Sequence, residues 1–241
     1  MTGDVLSLAK NYPYPILKFS YLFENDHISE LSSSTRLPSL KNRSPVLAVG
    51  SNQSPLQLSR KFSGKNWGPI PVLRARLHDF DAAYSPHITG YGAIPATLQD
   101  AKNSKTTFFI NWLDDAQLNR MHETEMTGSN YSFGVLTDLN IEVETGPCLE
   151  EVFTYTSKHG VLCDPDGPIF VAEIESTNPS RSRLTQFEVQ TFARDKISQN
   201  TDIDQFILSS INDPKIRRQR SRKLKLIAQN FKLNSFKEVL I

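Results

Sequence analysis

Between residues 44 and 174 this chain is a succession of short apolar runs, each closed by Gly, Pro, Asn, Asp or charged residues. That succession limits the fold more than any other feature. The runs are 46–49, 72–77 with 80–84 as its continuation or hairpin mate, 93–98, 107–112, 131–136, 141–144, 152–155 and 169–174. Most are too short for an ordinary helix, and they are rich in the branched and aromatic residues that suit a pleated surface. Many strands with few helices between them predict a barrel or strongly curved sheet rather than a doubly wound α/β domain.

Helical signals gather after residue 180. Thr185 and Glu188 have capping-box spacing, and Asp202 with Gln205 repeats the device. Asp213-Pro214 predicts a last helix with proline at its first position, and Leu224, Ile227 and Phe231 at i, i+3 and i+7 predict one apolar stripe along it. Upstream of residue 44, the run 16–23 reads as a strand and 32–39 as a turn or linker. The expectation is an α+β protein of three parts folded as one unit: an N-terminal extension (1–44), a sheet domain (45–178) and a C-terminal helical extension (179–241).

Composition narrows the classes of function. At 241 residues the chain can bury a core without metal or disulfide staples. Twenty-seven basic and 26 acidic side chains leave +1, so no global field draws it to nucleic acid or acidic lipid. The apolar runs fall far short of a bilayer span, and the opening Met1-Thr2-Gly3-Asp4 carries an acid where a secretion signal carries positive charge. These features predict a cytoplasmic protein without a membrane partner. Cys148 and Cys163 read as two buried thiols, with a single bridge between them left open.

Two segments could carry chemistry. Asp114 and Gln117 form a plausible cap for a short helix on which Leu118, Met121 and Glu125 share one face, while Glu123 points away to solvent. An acid at the end of an apolar stripe either leaves the helix for water or faces a cavity. In a cavity, burial raises its pKa toward the range useful for acid–base work. The second segment is the break at Val49-Gly50-Ser51-Asn52, which is either an ordinary turn or a loop whose N–H groups hold an anion or oxyanion.

Together these segments resemble the γ-glutamylcyclotransferase-like superfamily, whose signature is a strand ending in Tyr-Gly-Ser-Asn with a catalytic Glu later in the fold. Residues 46–52 match the loop, with Val49 in place of the tyrosine. Ala75-Arg76-Leu77-His78-Asp79-Phe80 is similar to the following strand, and 92–97 to the small-residue strand. Residues 118–125 resemble the segment that delivers the Glu, and Tyr131 follows at the spacing of a downstream Tyr. The resemblance covers roughly 45–137. It implies a curved mixed sheet or small barrel and a cofactor-independent cyclisation of a γ-glutamyl amine or peptide to 5-oxoproline. Glu125 would be the general acid/base, and Val49, Gly50, Ser51, Asn52 and Tyr131 would bind substrate. Because Val49 removes an aromatic wall and a hydroxyl, the alternative is a non-catalytic protein using the same cavity for a small molecule or a partner.

Other features are read as structural. The run Lys215 to Lys225 is strongly basic, but it lacks interleaved aromatics and reads as a solvated helix face, leaving only a hint of nucleic acid. His159 and Cys163 have no second ligand pair, and Asp164-Pro165-Asp166-Gly167 reads as a turn, so no metal is expected. His122 reads as partly exposed, with a second cavity residue as the other option.

Overall fold

The computed structural model describes residues 2–32, 37–125, 130–177, 182–230 and 233–240. Helix α1 (Thr2–Lys10) leads into a hairpin, β1 (Tyr21–Glu24) and β2 (His27–Glu30), then β3 (Ser44–Ala48), a 3-10 turn (Ser51–Gln53) and α2 (Pro55–Lys61). Two long strands follow, β4 (Ile70–Tyr84) and β5 (Ala96–Leu113), then α3 (Asp115–Glu125). Next come β6 (Tyr131–Leu136), β7 (Ile141–Val143), β8 (Val152–Ser157), β9 (Val161–Asp164), β10 (Gly167–Pro168), β11 (Phe170–Val171) and β12 (Arg183–Leu184). Helices α4 (Gln186–Ile197), α5 (Ile203–Asn212) and α6 (Pro214–Lys225) and short strands β13 (Ala228–Gln229) and β14 (Phe236–Glu238) close the chain.

The protein is therefore α+β with a mixed sheet. Its main path runs β12-β11-β4-β5-β3-β8-β6-β14, antiparallel except for β11–β12 and β3–β8. Its end strands do not pair with each other among the described residues, so the small barrel expected as an alternative to a curved sheet does not form.

The β4–β5 pair is the spine. Segments 72–77 and 80–84 are one strand, pivoting where the register shifts between His78 and Phe80. There Asp79 takes φ +63° and its Oδ1 accepts from the Asn103 N–H at 2.7 Å. Segments 93–98 and 107–112 likewise merge into β5, although 93–95 lie outside it. Both faces of this pair are covered. Leu73, Ala75, Leu77, Phe108, Ile110 and Trp112 belong to one buried cluster, and Ile70, Val72, Phe109 and Leu113 to another. That division follows the period-two alternation of a strand.

The first cluster takes in Ala9 and Tyr12 from the N-terminal segment and Val189, Ala193, Phe206, Ile207 and Leu224 from the helical tail. The second takes in Leu58 of α2 and Met121 of α3. Gln190 ties the two ends of the chain together, donating to the Ala9 carbonyl at 3.0 Å and the Gly92 carbonyl at 2.9 Å. Gly92, at φ +87°, lies where a Cβ would come within 3.0 Å of Ile211.

The helix caps form where read, although at Asp202 only the N-cap half of the expected capping box is present. Thr185 and Glu188 make a complete capping box. Asp202 accepts from the Asp204 and Gln205 N–H groups, and Asp213 from those of Lys215 and Ile216 ahead of Pro214. The last helix is shorter than its apolar stripe suggests. It stops at Lys225, because Ala228 and Gln229 pair with Leu162 and Val161 of β9. Ile227 still packs on the core, from a turn, while Phe231 lies outside the described residues. Of the run 16–23 only Tyr21–Phe23 is strand, and of 169–174 only Phe170–Val171. Part of the turn at 32–39 also lies outside the described residues. The expectation of two buried thiols is corrected at Cys148, which is exposed; Cys163 is buried and neither is bridged.

Candidate active site

Strand β3 ends at Ala48, and Gly50 opens the 3-10 turn that carries Ser51 and Asn52 to the mouth of a cavity of about 940 Å³. The turn exits into α2 through Ser54-Pro55, a proline at a first helical position where its missing N–H costs nothing. At the other end of α2 stands Lys61. Across from it, α3 begins with reciprocal bonds between Asp114 and Gln117: each backbone N–H donates to the other's side-chain oxygen, at 3.0 and 2.9 Å. Met121 anchors α3 in the core, and Glu125 in its last turn reaches the cavity. Glu123 faces solvent and pairs with Arg120.

Val49, Gly50, Ser51, Asn52, Glu125 and Tyr131 all line this one cavity, so the site residues read from sequence are brought together. The expected electrostatics of Glu125 are not. Burial does push its pKa up, but the Lys61 ammonium and hydrogen bonds from Lys61 and Asn52 outweigh burial and hold the carboxyl below its ordinary value. Lys61 Nζ contacts Oε1 directly, and Asn52 Nδ2 donates to the same oxygen at 2.7 Å. Both bonds fall on Oε1, and Oε2 has no hydrogen-bond donor among the described residues. Lys61 also touches Met121 Sδ at 3.3 Å, and its side chain is only 6% exposed against 18% for Glu125. Sequence reading missed Lys61, whose only signal was its place at the end of a short helix opened by Ser54-Pro55.

Tyr12 was missed too. Its hydroxyl accepts the Ala96 N–H at 2.8 Å. It lies so close to Gly50 that a Cβ there would stand 2.0 Å from Oη. The N-terminal segment thus brings a phenol to the loop in which Val49 supplies none. Burial, and then the charge of Glu125, push this phenol's pKa up, so it keeps its proton. With its oxygen accepting the Ala96 N–H, the hydroxyl keeps its own proton as a donor. Tyr131, pushed up by burial as well, bonds the Ala96 carbonyl at 3.2 Å.

His122 is partly exposed, as read, and does not line the cavity; its Nδ1 lies 2.7 Å from Tyr155 Oη and its ring packs edge-on against Phe133. His87 and His159 do line it. Burial, with the charges of His159 and Lys225, drives His87 down to about 3, so it is neutral, and its Nδ1 lies 2.8 Å from Ser85 Oγ. His159 faces Asn130 Oδ1 through Nε2 rather than Cys163. Asp164 to Gly167 form the β9–β10 turn. Among the described residues no group of three His, Cys, Asp or Glu side chains is placed to hold a metal ion, and no helix is long and apolar enough to cross a membrane.

The largest correction concerns the basic run. Arg217, Arg218, Arg222 and Lys225 of α6 line the cavity beside Arg60 and Lys61, so this helix face is a cavity wall as well as a solvated surface. Glu125 is the one acid among the lining residues.

No family model matches the chain, and no curated protein matches it. A solution structure of an Arabidopsis thaliana protein is similar to it over 57% of this chain and 78% of that one, at 17% identity and a TM-score of 0.36. So low a score carries no argument about fold or function.

Proposed function

We propose that this cavity carries out a γ-glutamylcyclotransferase-like reaction, closing a γ-glutamyl amine or peptide to 5-oxoproline and releasing the amine without a cofactor. The observation that carries the reading is Glu125 at the cavity wall, one oxygen fixed by Lys61 and Asn52 and the other without a donor among the described residues, beside the Gly50-Ser51-Asn52 turn. In this scheme Oε2 takes a proton from the substrate α-ammonium. The freed amine attacks the γ-carbonyl, an intramolecular step that proximity favours. The Tyr12 hydroxyl donates to the developing oxyanion, Glu125 returns the proton to the departing amine, and the ring nitrogen loses its second proton to solvent as the lactam forms.

The lowered pKa of Glu125 sets a demand on this scheme. An α-ammonium near ~8 giving its proton to a carboxylate below 4.5 is an uphill transfer of more than ~4 kcal/mol. The transfer is therefore coupled to ring closure, which consumes the amine as it forms. The same ion pair favours a second reading, in which Glu125 and Lys61 only recognise the charged ends of a ligand and no bond is made.

One experiment separates them. The protein is incubated with a panel of γ-glutamyl compounds beside Glu125→Gln, and 5-oxoproline is followed by mass spectrometry. Release by the parent and not by the variant supports the enzyme. No release from any panel member by folded protein leaves the binding reading.

A further inference from the structure

Helix α6 has three cations on one face. Arg218, Arg222 and Lys225 are spaced i, i+4 and i+7, within about 60° of one another around the helix, and all three line the cavity. None has a carboxylate partner or a hydrogen bond among the described residues. Their neighbours on the helix are occupied: Arg217 donates to the Ser210 and Ile211 carbonyls, and Arg220 to the Phe206 carbonyl and the Ser209 and Ser210 hydroxyls. The face is also fixed in place, because Ser221 Oγ accepts the Ile88 N–H at 3.1 Å and donates to the Arg217 carbonyl at 2.9 Å. Burial and then the Arg222 charge pull Lys225 down, as expected for like charges crowded with no anion between them.

We propose that this face is a subsite for a phosphate group, carried into the cavity by a small phosphorylated molecule. Three unpaired cations on a fixed helix face call for an anion of more than one charge. A phosphate monoester brings nearly two charges and three acceptor oxygens, against one charge and two oxygens for a carboxylate. Arg218 and Arg222 supply planar donor pairs suited to phosphate oxygens, and Lys225 a point charge. All three are exposed where they line the cavity, so an incoming anion can reach them directly. The subsite shares the cavity with Glu125 but is read by binding, so loss of cyclisation and loss of phosphate binding are separate results.

The test is calorimetric titration of the full chain with inorganic phosphate, glycerol 3-phosphate and citrate at fixed ionic strength. It uses the parent, the double variant Arg218→Ala/Arg222→Ala, and a control, Lys196→Ala/Lys223→Ala, with the same charge change at residues that do not line the cavity. Thermal melts verify that each is folded. The expectation is saturable binding of both phosphate compounds, weakened at least about tenfold in the first variant and less than about twofold in the control. Tighter binding of the ester than of inorganic phosphate identifies an organic phosphate as the ligand. Equal losses in the two variants would mean a diffuse field and overturn the subsite. Citrate binding as tightly as the phosphates would overturn the phosphate assignment, as would no binding in the millimolar range. A single-stranded oligonucleotide that binds more tightly than the ester and competes with it would replace the small molecule with nucleic acid.

Discussion

Replacing Lys61 with Met isolates the ion pair on which the site depends. Methionine keeps the length and apolar stem of lysine and removes the charge, leaving Glu125 with the single bond from Asn52 Nδ2 at 2.7 Å. Breaking one side of a buried pair costs about 3–5 kcal/mol. The surviving amide bond and the 18% exposure of the Glu125 side chain put the expected loss at the lower end, about 3 kcal/mol at pH 7. The sign of its pH dependence follows from Glu125. In the parent the folded-state pKa lies below the ordinary 4.5, so the carboxylate contributes stability above that value and loses it as pH falls through the folded pKa. In Lys61→Met burial acts with less opposition and the folded pKa rises above 4.5. The penalty is then fully present at neutral pH and relieved as pH falls toward 4.5. Urea unfolding at pH 7 and pH 4.5, followed through Trp67 and Trp112, should therefore show a gap between parent and variant that narrows on acidification. Lys61→Met/Glu125→Gln should recover at least half of the loss at pH 7. A loss under about 1 kcal/mol at pH 7, or an equal gap at the two pH values, would refute the assignment of this pair as the main electrostatic contact of the site.

Three further outcomes follow from the same contacts. Tyr12→Phe keeps the ring and removes the hydroxyl; if that hydroxyl stabilises an oxyanion, kcat for 5-oxoproline release should fall about 10²–10³-fold with little change in KM, and an unchanged kcat would exclude it from the chemistry. Gly50→Ala forces a methyl against the Tyr12 hydroxyl and should destabilise by about 1–3 kcal/mol, a loss that Gly50→Ala/Tyr12→Phe reduces, as measured by urea titration. Asp213→Ala removes the acceptor of two N–H groups at the start of α6 and should cost about 1 kcal/mol in chemical denaturation; a loss under about 0.3 kcal/mol would show that the cap does not hold the helix.

The parts of the fold legible in sequence are those decided over a few residues. The caps at Thr185, Asp202, Asp213 and Asp114 each depend on a side chain and an N–H two or three positions away, so spacing alone revealed them. Strand lengths were not local in that sense. The β4–β5 spine is buried on both faces, so its apolar residues run on without clean alternation, and the bulge at Asp79 divides one strand into two apparent runs. The end of α6 was hidden for a related reason. Leu224 and Ile227 satisfy a helical stripe, but backbone pairing of Ala228 and Gln229 with β9, more than sixty residues earlier in the chain, takes the segment out of the helix.

The site divides along the same line, and the division explains the error about Glu125. Its direction was visible from the stripe Leu118, Met121, Glu125, because a helix face is a local property. Its ionisation depends on Lys61, 64 positions away, and nothing in the spacing of either segment announces that pair. Tyr12 is 84 residues from Ala96 and meets Gly50 only because α1 packs its Ala9 into the core that the tail helices complete. The missing tyrosine at Val49 argued for a changed pocket when the loop was read alone. Tyr12 brings a phenol to the same turn, and the hydrogen of Gly50 leaves the space that the phenol oxygen fills. Tyr12→Phe removes that hydroxyl and keeps the ring, so it tests the proposed chemistry more directly than any change at Val49, which carries no hydroxyl.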